Sequence, residues 1–450
     1  MFYAAGFVLF CIVCVVLAFR RHPIWGVYFY LATTYVYPPD RWWGYIFGDL
    51  RWALLSATVT ALAVVFHRGK LKPKPPWLAN GPAIFLGLYA TWMWIQLPWA
   101  MDQTDHLRGS TEFVKCLLAM WFVYRAVDSK ERVRDLMLAH VLGCALLGIY
   151  ALGADRVDGR LDGVGGPNLD DANTLGMYLV TAAIVGVGLV MTQTGWRRYL
   201  VLLCLPLIVN GFVLANSRGA FLGLVGGGLV LLYCVARKHR WIFAAFAVVG
   251  LAGLAVLVDQ TFVERMFTIG DVTSQDEDAD SSARSRLVIA KAQLEMFYDH
   301  PLGTGWRGTA ALSQRYMDER WMAKDTQQEG AGPSRSSHNT FLTALSEGGL
   351  PGALIYSGLL MWVFGAVIRL KRLNKPHHDP DVTTLGAALC GSIVVILVAG
   401  IAADYLTKEV QFWLYAGLSS ILWLGESANE PAGEGKPVAG ATAARRVTAA

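Results

Sequence analysis

The chain has 450 residues, 54% of them hydrophobic and 16% charged, with 16 tryptophans and a formal net charge of +5. A soluble domain carries about a quarter charged residues, so this balance excludes one and describes a polytopic membrane protein with no nucleic-acid partner. The 7 cysteines (11, 14, 116, 144, 204, 234 and 390) all lie in apolar segments, which argues against a disulfide framework or a zinc site, the CxxC of Cys11 and Cys14 included.

Apolar runs of roughly spanning length recur at 2–19, 24–37, 51–66, 81–99, 113–127, 136–153, 173–191, 199–215, 219–236, 241–258, 351–368, 383–402 and 409–425. Some are short, so about twelve spans are expected, in an all-α integral membrane protein. Basic residues concentrate in alternate loops: RRH at 20–22, HRGKLKPK at 67–74, SKERVR at 129–134, GWRR at 195–198, RKHR at 237–240 and RLKRLNK at 369–375. The positive-inside rule assigns this set to the cytoplasm. The opposite, extracytoplasmic side then receives RVDGRLDGVGGPNLDDAN at 156–173 and a large, partly helical loop at 259–338. No cleavable signal peptide is expected. The membrane domain is read as 1–426, and the Ala/Gly/Pro-rich residues 427–450 as a disordered cytoplasmic tail. No internal repeat is visible.

Within 214–228, LANSRGAFLGLVGGG, small residues at Ala215, Gly219, Gly223 and Gly227 form a stripe for close helix packing. Asn216 or Ser217 can cap the helix that follows. Arg218 then falls in its first turn, where a cation opposes the helix dipole. An anion bound by the guanidinium and the helix N-terminus explains that placement. The alternative is an arginine snorkelling to lipid headgroups.

The large loop opens with DVTSQDEDADSSARS. Its acidic residues Asp276, Glu277, Asp278 and Asp280 read as a solvated loop rather than a cation site, because no second ligand group accompanies them. In SRLVIAKAQLEMFYDHPLGTGW, Leu287, Ala290, Leu294 and Phe297 recur at helical spacing and predict an amphipathic helix packed on the bundle. Pro301, Gly303 and Gly305 end it in a turn. A second short helix is expected around QRYMDERWMAK. After His338, residues 339–347 are expected to form a separate short helix, broken from 351–368 by Gly348, Gly349 and Pro351.

Arg218, Arg286 and His338 therefore share the extracytoplasmic side, each near a membrane surface. Two arginines and a histidine, without a metal motif or nucleotide loop, suit a lipid-pyrophosphate sugar donor. Its leaving group needs its charge held, which arginine does bidentately. Its acceptor hydroxyl needs a base, which neutral histidine supplies. For His338 the structural alternative is a cap or an interfacial polar residue.

NSRGA at 216–220, RSRLVIAKAQLEMFYDHPLGTGW at 284–306 and SHNTFLTALSEGGLPG at 337–352 resemble, in order and spacing, motifs of the O-antigen ligase and O-antigen polymerase superfamily. The resemblance covers the second half of the chain. It implies a multi-pass protein of the bacterial inner membrane, a GT-C-like glycosyltransferase with its site facing the periplasm. The reaction implied moves a glycan, with inversion, from undecaprenyl pyrophosphate to a hydroxyl, with no metal, nucleotide or other cofactor. By motif, Arg218 and Arg286 would hold the pyrophosphate and His338 would be the base. GGPNLDDANTLG at 165–176 resembles the family's Pro-Asn outer loop but departs in its Asp-Asp-Ala spacing, leaving Arg160 and Asn173 as candidate substrate contacts.

A ligase onto lipid A–core oligosaccharide is the preferred member. An O-antigen polymerase or a protein O-oligosaccharyltransferase would use the same donor. A transporter of lipid-linked sugar, the more distant alternative, should carry ionisable residues at mid-membrane depth, whereas the charged residues here cluster at span ends.

Overall fold

The computed structural model describes residues 2–48, 50–157, 160–161, 163–166, 169, 171–257, 281–322, 334–375 and 378–427. Its helices are α1 (Phe2–Arg20), α2 (Ile24–Val36), α3 (Trp52–Phe66), α4 (Gly81–Gln96), α5 (Gln103–Ala126), α6 (Lys130–Leu152), α7 (Ala172–Thr192), α8 (Trp196–Ala215), α9 (Arg218–Cys234) and α10 (Arg240–Leu257). They continue as α11 (Ser281–Asp299), α12 (Gly308–Tyr316), α13 (Thr340–Ser346), α14 (Gly349–Leu373), α15 (Pro380–Ala399) and α16 (Glu409–Ser427). The fold is of the expected all-α class, with one short two-stranded antiparallel hairpin among the described residues, β1 (Arg156–Val157) and β2 (Arg160–Leu161). The acidic stretch at 276–280 and the tail from 428 lie outside the described residues.

Every expected apolar run coincides with a helix. Among the described residues, α1, α6, α7, α8, α14 and α15 are long and apolar enough to cross a membrane, and α3 and α9 are shorter apolar helices. Helices α5 and α6 begin well before their apolar runs because capped polar turns precede them. Asp102 accepts from Asp105 N at 2.9 Å, and Ser129 accepts from Arg132 N at 3.3 Å.

The core is layered around α7 and α15, which are apolar on all sides and buried on nearly all of them. Helices α8, α9 and α16 pack around this pair. Some buried polar groups in the bundle link helices. His140 is held by Tyr35 OH on one ring nitrogen and by Thr181 Oγ1, 3.1 Å from the other, linking α2, α6 and α7.

The six basic loops meet at one end of the bundle. His22 pairs with Asp128 at 3.6 Å, Lys74 donates to Tyr124 O at 2.7 Å, and Arg197 pairs with Asp135 at 2.9 Å. Arg134 joins Thr192 O and Asp381, His239 Nδ1 joins Thr384 Oγ1, and Asn374 donates to Val235 O at 2.9 Å. The three candidate residues lie on segments at the opposite end.

The small-residue stripe packs α9 on α15. A Cβ on Gly223 would stand 2.9 Å from Val395 O, and one on Gly227 would stand 2.6 Å from Gly391 O. Ala215 does not extend this stripe; it ends α8 and faces Gly176 of α7. The chain reverses between the two helices because Asn216 takes a left-handed conformation (φ 49°) and Ser217 caps α9 by accepting from Ala220 N. Gly227→Leu is expected to destabilise by roughly 1–3 kcal/mol, because backbone on the facing helix cannot yield. Gly228→Leu, with nothing within 4 Å, should be silent. Thermal unfolding in detergent checks the contrast, and equal midpoints would refute the close-packed interface.

Candidate functional site

The polar segment that follows α12 and ends at α13 carries His338 between two anchored residues. Ser337 Oγ accepts from Gln293 Nε2 of α11 at 3.0 Å and from Thr343 Oγ1 at 2.7 Å. Asn339 caps α13, its side-chain oxygen accepting from Phe341 N at 2.9 Å and Leu342 N at 3.0 Å, while its Nδ2 donates to Ile401 O at 3.0 Å. His338 itself is half-buried. With both neighbours pinned, its backbone has little freedom, and a positioned imidazole results.

The wall beside it is the turn from α15 to α16. Thr340 N donates to Gly400 O at 2.8 Å, and Thr340 Oγ1 donates to Ala403 O at 3.0 Å and accepts from Tyr405 N at 2.8 Å. The start of α9, which carries Arg218, also packs on this turn. The neighbouring Gly219 lies so close to Ala399 O and Ala402 that a Cβ would stand 3.3 Å from either. On Arg218's other side, Ser217 Oγ donates to Asn173 Oδ1 at 3.0 Å. Asn173 is in the first turn of α7, which Asp171 caps by accepting from Asn173 N and Thr174 N. The second aspartate of the Asp-Asp-Ala run thus has a structural task. Arg160 sits on a different element, the hairpin, where it pairs with Val157.

Arg286 follows Ser285 in the opening turns of α11, and α11 is tied to the His338 segment at two heights. Arg335 Nη2 donates to Ser285 Oγ at 3.0 Å, and Gln293 reaches Ser337 and Ser346 Oγ. Three segments distant in sequence, carrying Arg218, Arg286 and His338, therefore converge around residues 337–340.

The amphipathic face of α11 is the reverse of the expected one. Leu287 and Leu294 are exposed, at 56% and 42%. The packed face is Ser285, Ile289, Ala292, Gln293 and Met296. The buried glutamine helps explain the change: its amide has hydroxyl partners in Ser337, Ser346 and Thr309, so it can join Ile289, Ala292 and Met296 on the inner face. The second short helix also begins earlier than expected, as α12, with only a 3₁₀ turn at Glu319–Trp321 over the expected position.

Sequence reasoning missed what holds α11 in place. The turn at 301–307 docks against the break between α13 and α14. Thr304 N donates to Ser346 O, Gly305 N to Glu347 O and Leu350 N to Pro301 O, at 2.9–3.1 Å. The buried Glu347 carboxylate accepts from Arg307 N at 2.9 Å and Thr309 N at 3.2 Å. Gly303 (φ 88°) and Gly349 (φ 66°) face each other so closely that a Cβ on Gly303 would stand 2.4 Å from Glu347 O. The corner between α4 and α5 completes the seat. Gln96 Nε2 donates to Leu302 O and Glu347 O, both at 2.9 Å, and Asp105 pairs with Arg307 at 3.3 Å. His106 Nδ1 accepts from Trp306 N at 2.7 Å while Nε2 lies 2.7 Å from Met93 O, which fixes a neutral ring with its proton on Nε2. The short α13 is thus separate from α14, as the glycines predicted.

Burial, reinforced by the nearby Asp404 carboxyl, pushes Glu347 up to about 7 against the pull of its N–H partners. The folded carboxyl keeps its proton to about 7, whereas an unperturbed one releases it near 4.5. Docking is therefore strongest below the lower value and weakens as pH rises through the upper one. Amide hydrogen exchange at 303–309 should quicken between pH 6 and 8 beyond its intrinsic rise. Glu347→Gln should abolish that component and loosen the turn by roughly 1–3 kcal/mol. An unchanged exchange pattern in the variant would exclude the carboxylate as the anchor.

Comparisons with known proteins bear on these same segments. Residues 201–357 match the O-antigen ligase family model. That stretch contains Arg218, Arg286, His338 and Glu347, and leaves out Arg160, Asn173 and the α4–α5 corner. The chain is also 23% identical over 326 residues, 67% of its length and 70% of the other's, to the exopolysaccharide production protein ExoQ of Rhizobium meliloti (strain 1021). The domain match and the relative both support the O-antigen ligase and polymerase superfamily for this chain.

Proposed function

We propose that this protein is an O-antigen ligase: an inverting, metal- and ATP-independent glycosyltransferase moving a glycan from undecaprenyl pyrophosphate to a hydroxyl of lipid A–core oligosaccharide. It works from about twelve spans in the inner membrane, with its site facing the periplasm. The observation that supports this reading is that the segments carrying Arg218, Arg286 and His338 meet near residues 337–340 and the 399–403 turn.

In the reaction, the acceptor oxygen attacks the anomeric carbon from the face opposite the pyrophosphate. The carbon–oxygen bond to phosphate breaks as the new glycosidic bond forms, which inverts the centre. The acceptor proton passes to a ring nitrogen of His338, acting as general base. The electron pair leaves on the pyrophosphate, where Arg218 and Arg286 meet the developing charge. Asn173, through Ser217, orients the turn that presents Arg218. Arg160, on the hairpin, is a candidate acceptor contact.

The relative named for exopolysaccharide production favours a second acceptor, the glycan of another lipid-linked donor, which would make the protein a polymerase. Donor, base and leaving-group chemistry would be unchanged.

Purified protein with undecaprenyl-pyrophosphate glycan, lipid A–core and EDTA separates these readings. Wild type is expected to form glycosylated lipid A–core. His338→Ala should lose about 10²-fold or more in rate while still binding donor. Full activity in that variant would remove the histidine from the chemistry, and product from donor alone would select the polymerase. Arg286→Lys keeps the charge but loses the bidentate fork, and its rate should fall at least about tenfold. A lysine that works equally well would sink the clamp, and inhibition by EDTA reversed by Mg²⁺ would sink the metal-free mechanism.

A further inference from the structure

One more arginine reaches this neighbourhood. Arg335 lies three residues before His338. Its backbone N–H donates to Ser313 Oγ at 3.2 Å, and its Nη2 donates to Ser285 Oγ at 3.0 Å. Ser285 is buried and directly precedes Arg286. The Arg335 guanidinium is thus held against the opening turns of α11, beside one candidate donor-binding residue and close in sequence to the candidate base.

Its environment differs from that of several packed arginines. Arg134, Arg197, Arg307 and Arg369 each have a carboxylate partner. Among the described residues Arg335 pairs with none, and its Nε is buried without a hydrogen-bond partner. Burial lowers its affinity for its proton, and no carboxylate among the described residues offsets the effect. A partly buried, uncompensated cation with one N–H on a neutral hydroxyl costs stability in the unliganded protein. A guanidinium offers five N–H groups, so Ser285 leaves most of the fork for an anion.

Charge counting says which anion. A sugar–pyrophosphate–lipid diester carries about two negative charges, and the lipid pyrophosphate released from it about three, so a site without metal needs one more cation as the bond breaks. We propose that Arg335 is a third donor-binding arginine, contacting the pyrophosphate of the lipid-linked donor and matching the charge that appears as the sugar departs. This rests on the donor reading above. The same fork could hold the phosphate of an ordinary phospholipid headgroup, and the test separates the two.

Binding of undecaprenyl pyrophosphate, undecaprenyl monophosphate and phosphatidylglycerol is measured in EDTA for wild type, Arg335→Met, Arg335→Lys and Arg286→Lys, with thermal midpoints with and without ligand. Arg335→Met should weaken pyrophosphate binding roughly tenfold or more and leave the other two lipids unchanged. Its ligand-free midpoint should equal or exceed that of wild type, because an unpaired charge is removed, while its stabilisation by pyrophosphate shrinks. In transfer assays kcat should fall more than KM for the donor rises. A lowered ligand-free midpoint with unaltered pyrophosphate binding would make Arg335 structural and overturn the proposal. Loss confined to phosphatidylglycerol would overturn it in favour of a headgroup site. If wild type itself binds no undecaprenyl pyrophosphate, the donor reading fails, and this proposal with it. If Arg286→Lys loses binding and Arg335→Met does not, only the third arginine is refuted.

Discussion

The docking of the 301–307 turn onto the break between α13 and α14 is the constraint on which the rest of the candidate site depends. A helix broken at 347–349 leaves backbone groups that need partners, and a turn with two left-handed glycines supplies them. Glu347 contributes twice, its carbonyl to Gly305 and its carboxylate to Arg307 and Thr309. Fixing the turn fixes the C-terminal end of α11, and α11 carries Arg286 at its other end. The break in turn sets the direction of α13, whose cap follows His338. One interface thus governs both a proposed phosphate clamp and the proposed base.

This arrangement separates two kinds of residue within the motifs. Gly303, Gly305, Glu347 and Gly349 are required by geometry: positive φ, backbone contact at van der Waals distance, and N–H groups to satisfy. Arg218, Arg286 and His338 are not required by the fold in this way. Arg218 opposes the dipole of the helix it begins. Chemistry is therefore sought in the second set and precision in the first.

Much of the scaffold was legible from the sequence because hydropathy and breakers are local signals. Helices stand at every apolar run, the basic loops gather at one end, Ser217 caps α9, and the glycines separate α13 from α14. What was not legible is long-range. The inner face of α11 was misassigned because spacing reports apolar periodicity, and Gln293 becomes an inner residue only when Ser337 and Ser346 are brought to it. Helices α5 and α6 began early because a cap outweighs polarity in a first turn. Gln96 and His106, which seat the turn, belong to no motif, and their partners lie about two hundred or more residues away. Arg335 stands two residues before the motif at 337–352, and its lack of a carboxylate partner among the described residues is a property of packing that no spacing reveals.

The pairing of Gln96 with Glu347 spans 251 residues of chain. Synthesis proceeds from the N-terminus, so the α4–α5 corner is made long before the segment that satisfies it. Throughout that interval the amide of Gln96 and the Nδ1 of His106 lack the partners they have in the finished fold, and water must serve in their place. The seat consequently stays open until α14 is made, and the candidate site closes among the last events of biogenesis. A chain halted anywhere before residue 350 would own most of its helices and lack the docked turn that seats the candidate site.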